Sequence, residues 1–96
     1  MSKLVRDKIP EIIRKNGEEP KIRIANDKEY WEKLKNKLKE EVDEYIESEN
    51  EEELADIYEV LHAIYDLKKI DKNRLAEIRK NKSNERGKFE KKIILE

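Results

Sequence analysis

The sequence predicts an all-α chain, an antiparallel helical hairpin that forms a four-helix bundle on dimerisation, with short extended arms at its N- and C-terminal ends. Three observations carry that expectation. Apolar residues recur at steps of three and four over residues 28–47 and again over residues 51–69. Only Ser48-Glu49-Asn50 interrupts them, and so short a connection makes the two segments antiparallel neighbours. Apolar side chains also cover more than half of the second segment, where Leu54, Ile57, Tyr58, Leu61, Ile64 and Tyr65 stand beside Val60 and Leu67. One partner helix cannot cover that surface, so a homodimer is expected, with a tetramer as the larger alternative. The 96 residues are read as a single domain, near the lower limit for a core that sustains itself without disulfides or partners.

Taken in order, Asp7 can cap a first helix that carries Pro10 in its opening turn, buries Ile9, Ile12 and Ile13, and stops at Asn16-Gly17. Lys3, Arg6 and Lys8 form a basic cluster around its start, read as a solvated N-terminus in preference to a phosphate contact. Lys21 to Ala25 alternates polar and apolar residues, the pattern of a short strand or an extended arm. Asn26-Asp27 supplies the cap of the long second helix, whose start is anchored by Tyr30 and Trp31 as core or dimer contacts. The third helix runs from Glu51 to about Lys69, and His62, the sole histidine, is read as a boundary residue away from its acidic seam. Asp71 caps a fourth helix, Lys72 to about Asn84, whose apolar content is only Leu75, Ala76 and Ile78, which implies peripheral packing. After Gly87 the run Lys92-Ile93-Ile94-Leu95 is strand-like and a candidate to pair with residues 21–25.

Charged residues make up 49% of the chain, yet 23 basic and 24 acidic groups nearly cancel to a formal net of −1. Nucleic-acid binding is not expected, because Lys and Glu are interleaved and no basic excess gathers on one face. The absence of cysteine excludes disulfides, thiolate nucleophiles and Cys-based zinc sites. No apolar run is long enough for a signal peptide or a membrane span, so a cytoplasmic protein is expected.

Acidic residues three apart recur from Glu29 to Glu59, so their spacing alone says little and their position on the helix must discriminate. On the second helix Trp31, Leu34, Leu38, Val42 and Tyr45 share one apolar face, and Glu41 falls inside the series Leu34, Leu38, Glu41, Tyr45. Glu44 lies about 60° further round, at the edge of that face, while Glu40 and Glu47 point more toward solvent. The third helix repeats the anomaly. Its seam reads Glu53, Asp56, Val60, Ala63, Leu67, with carboxylates at the two positions nearest the loop. Antiparallel pairing makes these carboxylates face those of the second helix, and no basic residue is expected in the seams to compensate them. A hard divalent cation such as Mg²⁺ would, with Mn²⁺ as the alternative ion. Set against this is a plainer reading, two amphipathic helices of a Glu-rich protein with ragged seams.

Glu40-Glu41-Val42-Asp43-Glu44 followed by Glu53-Leu54-Ala55-Asp56 resembles the signature of the all-α nucleoside triphosphate pyrophosphohydrolase superfamily, the MazG-like and phosphoribosyl-ATP pyrophosphohydrolase-like proteins. The resemblance extends through Ile57-Tyr58-Glu59-Val60 and to the flanks Lys3-Leu4-Val5-Arg6-Asp7-Lys8-Ile9-Pro10 and Glu85-Arg86-Gly87-Lys88-Phe89-Glu90-Lys91, which look like those of small single-domain members. One departure is the short connection of eight residues, Tyr45 to Glu52, which reduces what a loop can add to substrate selection.

The resemblance implies Mg²⁺-dependent hydrolysis of a nucleotide between its α and β phosphates, giving a monophosphate and pyrophosphate. By motif position Glu41, Glu44, Glu53 and Asp56 would be the metal ligands, Glu41 serving catalysis as well, and Glu40 an outer ligand or the group that orients the attacking water. Lys37, one turn before Glu41, and Arg79, Lys82 and Arg86 from the fourth helix or a partner subunit are the candidates for phosphate binding. The expected activity is house-cleaning of surplus or non-standard nucleoside triphosphates. Phosphoribosyl-ATP, the substrate of a histidine-biosynthesis enzyme, is the rival within the same chemistry. A non-catalytic helical dimerisation or regulatory module is the alternative of another class.

Overall fold

The computed structural model describes residues 2–96. It contains four helices, α1 (Ile9–Lys15), α2 (Asp27–Ser48), α3 (Glu51–Lys68) and α4 (Lys72–Arg86), and no strand among the described residues. The chain divides into two compact units, one reaching to Ile64 and the other spanning Tyr65–Glu96.

In the first unit α1 starts without the expected side-chain cap. Lys8, not Asp7, holds the capping position, and its side chain makes no hydrogen bond there. The reason is local: the Ile9 amide already donates to the Arg6 carbonyl at 3.1 Å, and Pro10 has no amide hydrogen to satisfy. Ile9 and Ile13 are half-buried, whereas Ile12 is exposed, since on so short a helix it falls on the flank of the edge those two share. Gly17 ends the turn at a φ of 88°, a left-handed conformation a side chain would oppose, and its amide donates to the Arg14 carbonyl.

Residues 21–25 form an extended arm and not a strand, with Ile22 and Ile24 exposed. The arm is tied to α2 by a forked ion pair from the Arg23 guanidinium to Glu29, which raises the Arg23 pKa and holds the Glu29 carboxyl below its ordinary range. The α2 cap is as expected, Asn26 Oδ1 accepting from the Glu29 amide at 2.9 Å. The other end of α2 is closed by Glu49, in the left-handed region at φ 56°, whose amide donates to the Tyr45 carbonyl at 2.7 Å. Ser48 Oγ then accepts from the Asn50 amide and Asn50 Oδ1 from the Glu52 amide, so the two-residue connection satisfies its own backbone.

The hairpin core is small. Leu34 on α2 and Val60 on α3 are the buried apolar side chains among the described residues, Leu34 the more completely. Trp31, Leu38 and Tyr45 are half-buried on the expected α2 face, with Val42 at its exposed margin, and Ala63 is half-buried on the α3 seam.

In the second unit Leu67 is half-buried, and Ile70 donates its amide back to the Tyr65 carbonyl at 2.9 Å across a left-handed Lys69. Asp71 caps α4 by accepting from the amides of Asn73 and Arg74 at 2.9 and 3.4 Å. Along α4 only Leu75 and Ser83 are withdrawn from full exposure, in keeping with its thin apolar stripe. Ile93, Ile94 and Leu95 are exposed and form no strand, which corrects the strand-like reading of this run. Short extended segments without a ladder partner leave their backbone groups to water.

Candidate metal centre

The carboxylates singled out by their seam positions lie at the connected end of the α2–α3 hairpin. One oxygen each from Glu41, Glu53 and Asp56 falls within a cluster whose members are all within 4.8 Å of one another, and Glu40, Glu41 and Glu44 form a second such cluster. Glu41 belongs to both. It is the most deeply placed of them, 5% exposed, because its position in the Leu34–Leu38–Tyr45 series turns it into the seam. Glu53 and Asp56 are half-buried one turn apart on α3, while Glu44 sits at the exposed edge.

Glu41 Oε2 and Glu53 Oε2 are buried and accept no hydrogen bond. An orphaned carboxylate oxygen in such a place is costly. The Glu53 carboxyl is pushed up to about 7, first by loss of water, then by a hydrogen bond shared with Glu44 and by repulsion from Glu44, Asp56 and Glu41. A cluster of hard oxygen donors with two unused buried lone-pair sites is the donor set that a divalent cation takes.

The expectation that no basic group compensates Glu41, Glu53 and Asp56 is corrected at Glu41 by Lys37 and at Asp56 by Arg6, and a third cation, Lys3, pairs with Glu40 beside them. Lys37 Nζ lies 3.2 Å from Glu41 Oε1 and 3.7 Å from Glu40 Oε1, because a residue one turn earlier on the same helix stacks over its i+4 neighbour. Arg6 places a guanidinium nitrogen 2.7 Å from Asp56 Oδ1 and another 4.0 Å from Glu59. Lys3 Nζ lies 3.1 Å from Glu40 Oε1. That contact raises the Lys3 pKa and, with Lys37, holds the Glu40 carboxyl below its usual range. Helical periodicity cannot see Lys3 and Arg6, which precede every helix. Their signal is the clustering of basic residues around the start of α1 in a chain whose acids gather on α2 and α3.

An open concavity of about 550 Å³ runs beside the cluster, lined by Asn36, Lys39, Glu40, Asp43, Glu44 and Glu47 of α2. Of the candidates for phosphate binding, Lys37 is thus at the cluster but engaged with Glu41. Arg79, Lys82 and Arg86 are exposed on α4 in the second unit, where Arg79 lines a shallow concavity of about 340 Å³ with Ala76, Lys80, Ser83, Asn84 and Lys88. His62 is half-buried on α3 with its ring 6.3 Å from that of Tyr58, and belongs to neither carboxylate cluster. Among the described residues no helix is long and apolar enough to cross a membrane.

Over 44 residues the chain is 57% identical to a protein of Mycolicibacterium smegmatis described only as uncharacterised. The matched stretch is 46% of this chain and 45% of that protein, so the likeness spans about half the length of each. No protein-family profile matches the chain, and no solved structure matches it.

Proposed function

We propose that the chain is a Mg²⁺-dependent nucleotide pyrophosphohydrolase that cleaves a nucleoside triphosphate between its α and β phosphates. The observation that carries the reading is the pair of buried, unpartnered oxygens on Glu41 and Glu53, two residues that cluster with Asp56. The resemblance of these residues to the pyrophosphohydrolase signature supplies the reaction.

In this reading Glu41, Glu53 and Asp56 hold the cation and Glu44 closes its exposed side. A bound divalent cation supplies neutralisation of phosphate charge and activation of water. Glu40, kept ionised by Lys3 and Lys37, is suited to accept a hydrogen bond from the attacking water and orient it, while its lowered pKa makes it a weak proton acceptor. The concavity along α2 gives a nucleotide room beside the cluster. A second copy of the hairpin accounts for the exposure of Val42, Ile46, Leu54 and Tyr58 around so small a core.

A second reading, a non-catalytic helical dimerisation module, is favoured by the Arg6–Asp56 and Lys37–Glu41 pairs, which offset part of the seam charge without any ion. Pyrophosphate release separates the two. Nucleoside triphosphates, damaged nucleotides and phosphoribosyl-ATP are presented with Mg²⁺ or with chelator, to the native chain and to Asp56→Asn. The enzyme reading expects chelator-sensitive release that falls at least about 100-fold in the variant, the upper end of what losing a group that only supports a metal ligand costs. No release from any substrate by folded protein, with Asp56→Asn silent or stabilising, would establish the module instead.

A further inference from the structure

We infer that residues 2–8 form a displaceable counter-ion strap, in which Lys3 and Arg6 leave the carboxylates when a divalent cation binds and take the phosphates of the substrate instead. This inference rests on the metal-dependent reading above and assigns that site its phosphate-binding groups.

The strap touches both helices of the hairpin. Lys3 reaches Glu40 on α2 and Arg6 reaches Asp56 on α3, partners 37 and 50 residues away in the chain. Its path is fixed from the α2 side, where Lys33 Nζ donates to the Ser2 carbonyl at 3.0 Å, and from the α1 side, where the Arg6 carbonyl accepts from the Ile9 amide. Leu4 between the two cations is half-buried, so the backbone remains seated if their heads move. The two basic groups are therefore delivered to the rim of the carboxylate cluster by packing and backbone contacts as well as by their charge.

The same pairs are built to exchange. The Arg6 and Lys3 side chains are 55% and 60% exposed, and ion pairs so open to water hold weakly. A divalent ion seated among Glu41, Glu53 and Asp56 would withdraw the negative charge that holds Arg6 and would repel the guanidinium directly. Once displaced, Arg6 presents a planar fork suited to two phosphate oxygens, and Lys3 a mobile ammonium. The site needs such groups. The concavity beside it is lined by Glu40, Asp43, Glu44 and Glu47 against the lone cation Lys39, and Lys37 is already committed to Glu41. A polyphosphate entering that surface requires positive charge from outside α2, which the strap provides.

Arg6 and the cation then compete for Asp56, and by linkage removing one strengthens the other. The test measures Mn²⁺ binding by the loss of free-ion electron paramagnetic resonance signal, without nucleotide, for the native chain, Arg6→Ala, Arg6→Lys and Asp56→Asn, with helicity checked by circular dichroism. Binding of inorganic pyrophosphate to each Mn²⁺-loaded protein is measured by calorimetry. Arg6→Ala should bind Mn²⁺ several-fold more tightly and pyrophosphate about tenfold more weakly, with Arg6→Lys recovering part of each change. Weaker Mn²⁺ binding in Arg6→Ala, or unchanged pyrophosphate binding, overturns the strap. If native protein takes up Mn²⁺, Asp56→Asn does not, and Arg6→Ala alters neither affinity, the strap alone is wrong. Native protein that takes up no Mn²⁺ overturns the metal reading and the strap together.

Discussion

Glu53 links the protonation of the carboxylate cluster to the stability of the hairpin. Its pKa rises from the ordinary 4.5 to about 7 on folding, so the folded chain binds this proton more tightly than the unfolded one. The stability it contributes is fully present below pH 4.5 and is lost as pH rises through about 7, beyond which the curve is flat. Glu29 and Glu40 act in the opposite sense, their folded pKa values being lowered, and their contribution is lost as pH falls below 4.5. The two windows do not overlap. Melting temperature in chelator is therefore expected to fall between pH 4.5 and 7, Glu53→Gln to flatten that fall, and saturating Mg²⁺ to reverse it, all read from thermal melts across pH. At this scale the sequence was informative where the helix imposes periodicity. Glu41, Glu53 and Asp56 could be placed in the seams because steps of three and four fix their direction. Lys3 and Arg6 could not, since a segment without helical repeat carries no phase and its partners lie 37 and 50 residues away.

Among the elements, the hairpin helices are anchored by few buried side chains, so each matters. Leu34→Ala is expected to cost about 2–5 kcal/mol, because it empties the most completely buried apolar position. Urea unfolding at two wavelengths would check it, and a loss below about 1 kcal/mol would mean that the site relaxes or that the core lies elsewhere. The starts of α2 and α4 were legible because Asn26 and Asp71 are side chains whose capping chemistry is local, while α4 runs past the expected Asn84 to Arg86 before Gly87 permits a turn at φ 81°. The start of α1 was misread at Asp7 because a backbone hydrogen bond from Ile9 to Arg6 and the donor-free Pro10 had already met that need. In the arms the extended alternative prevails over the strand for a related reason. Alternation such as Lys21-Ile22-Arg23-Ile24 signals a strand only when a neighbour accepts its ladder, and here Ile24 is 91% exposed.

For the molecule as a whole, the all-helical architecture followed from period and connection length, whereas assembly depends on surfaces one chain cannot complete. Val42 and Ile46 on α2 with Leu54 and Tyr58 on α3 leave apolar area exposed on the hairpin, each pair spaced one helical turn. Sedimentation velocity at micromolar concentration is expected to give a dimer, and charged substitutions at Ile46 and Tyr58 to return it toward monomer; a native chain that sediments as monomer throughout would remove assembly from the account. The two-residue connection between α2 and α3 bears on how the molecule folds. Because Glu41 and Asp56 stand on either side of it, closing one local hairpin is enough to gather the candidate ligands, and no distant pairing must come first. Closing this hairpin thus brings like charges together. Refolding in chelator should accelerate as monovalent salt is added, and further when divalent cation replaces the chelator, with stopped-flow fluorescence of Trp31 as the readout.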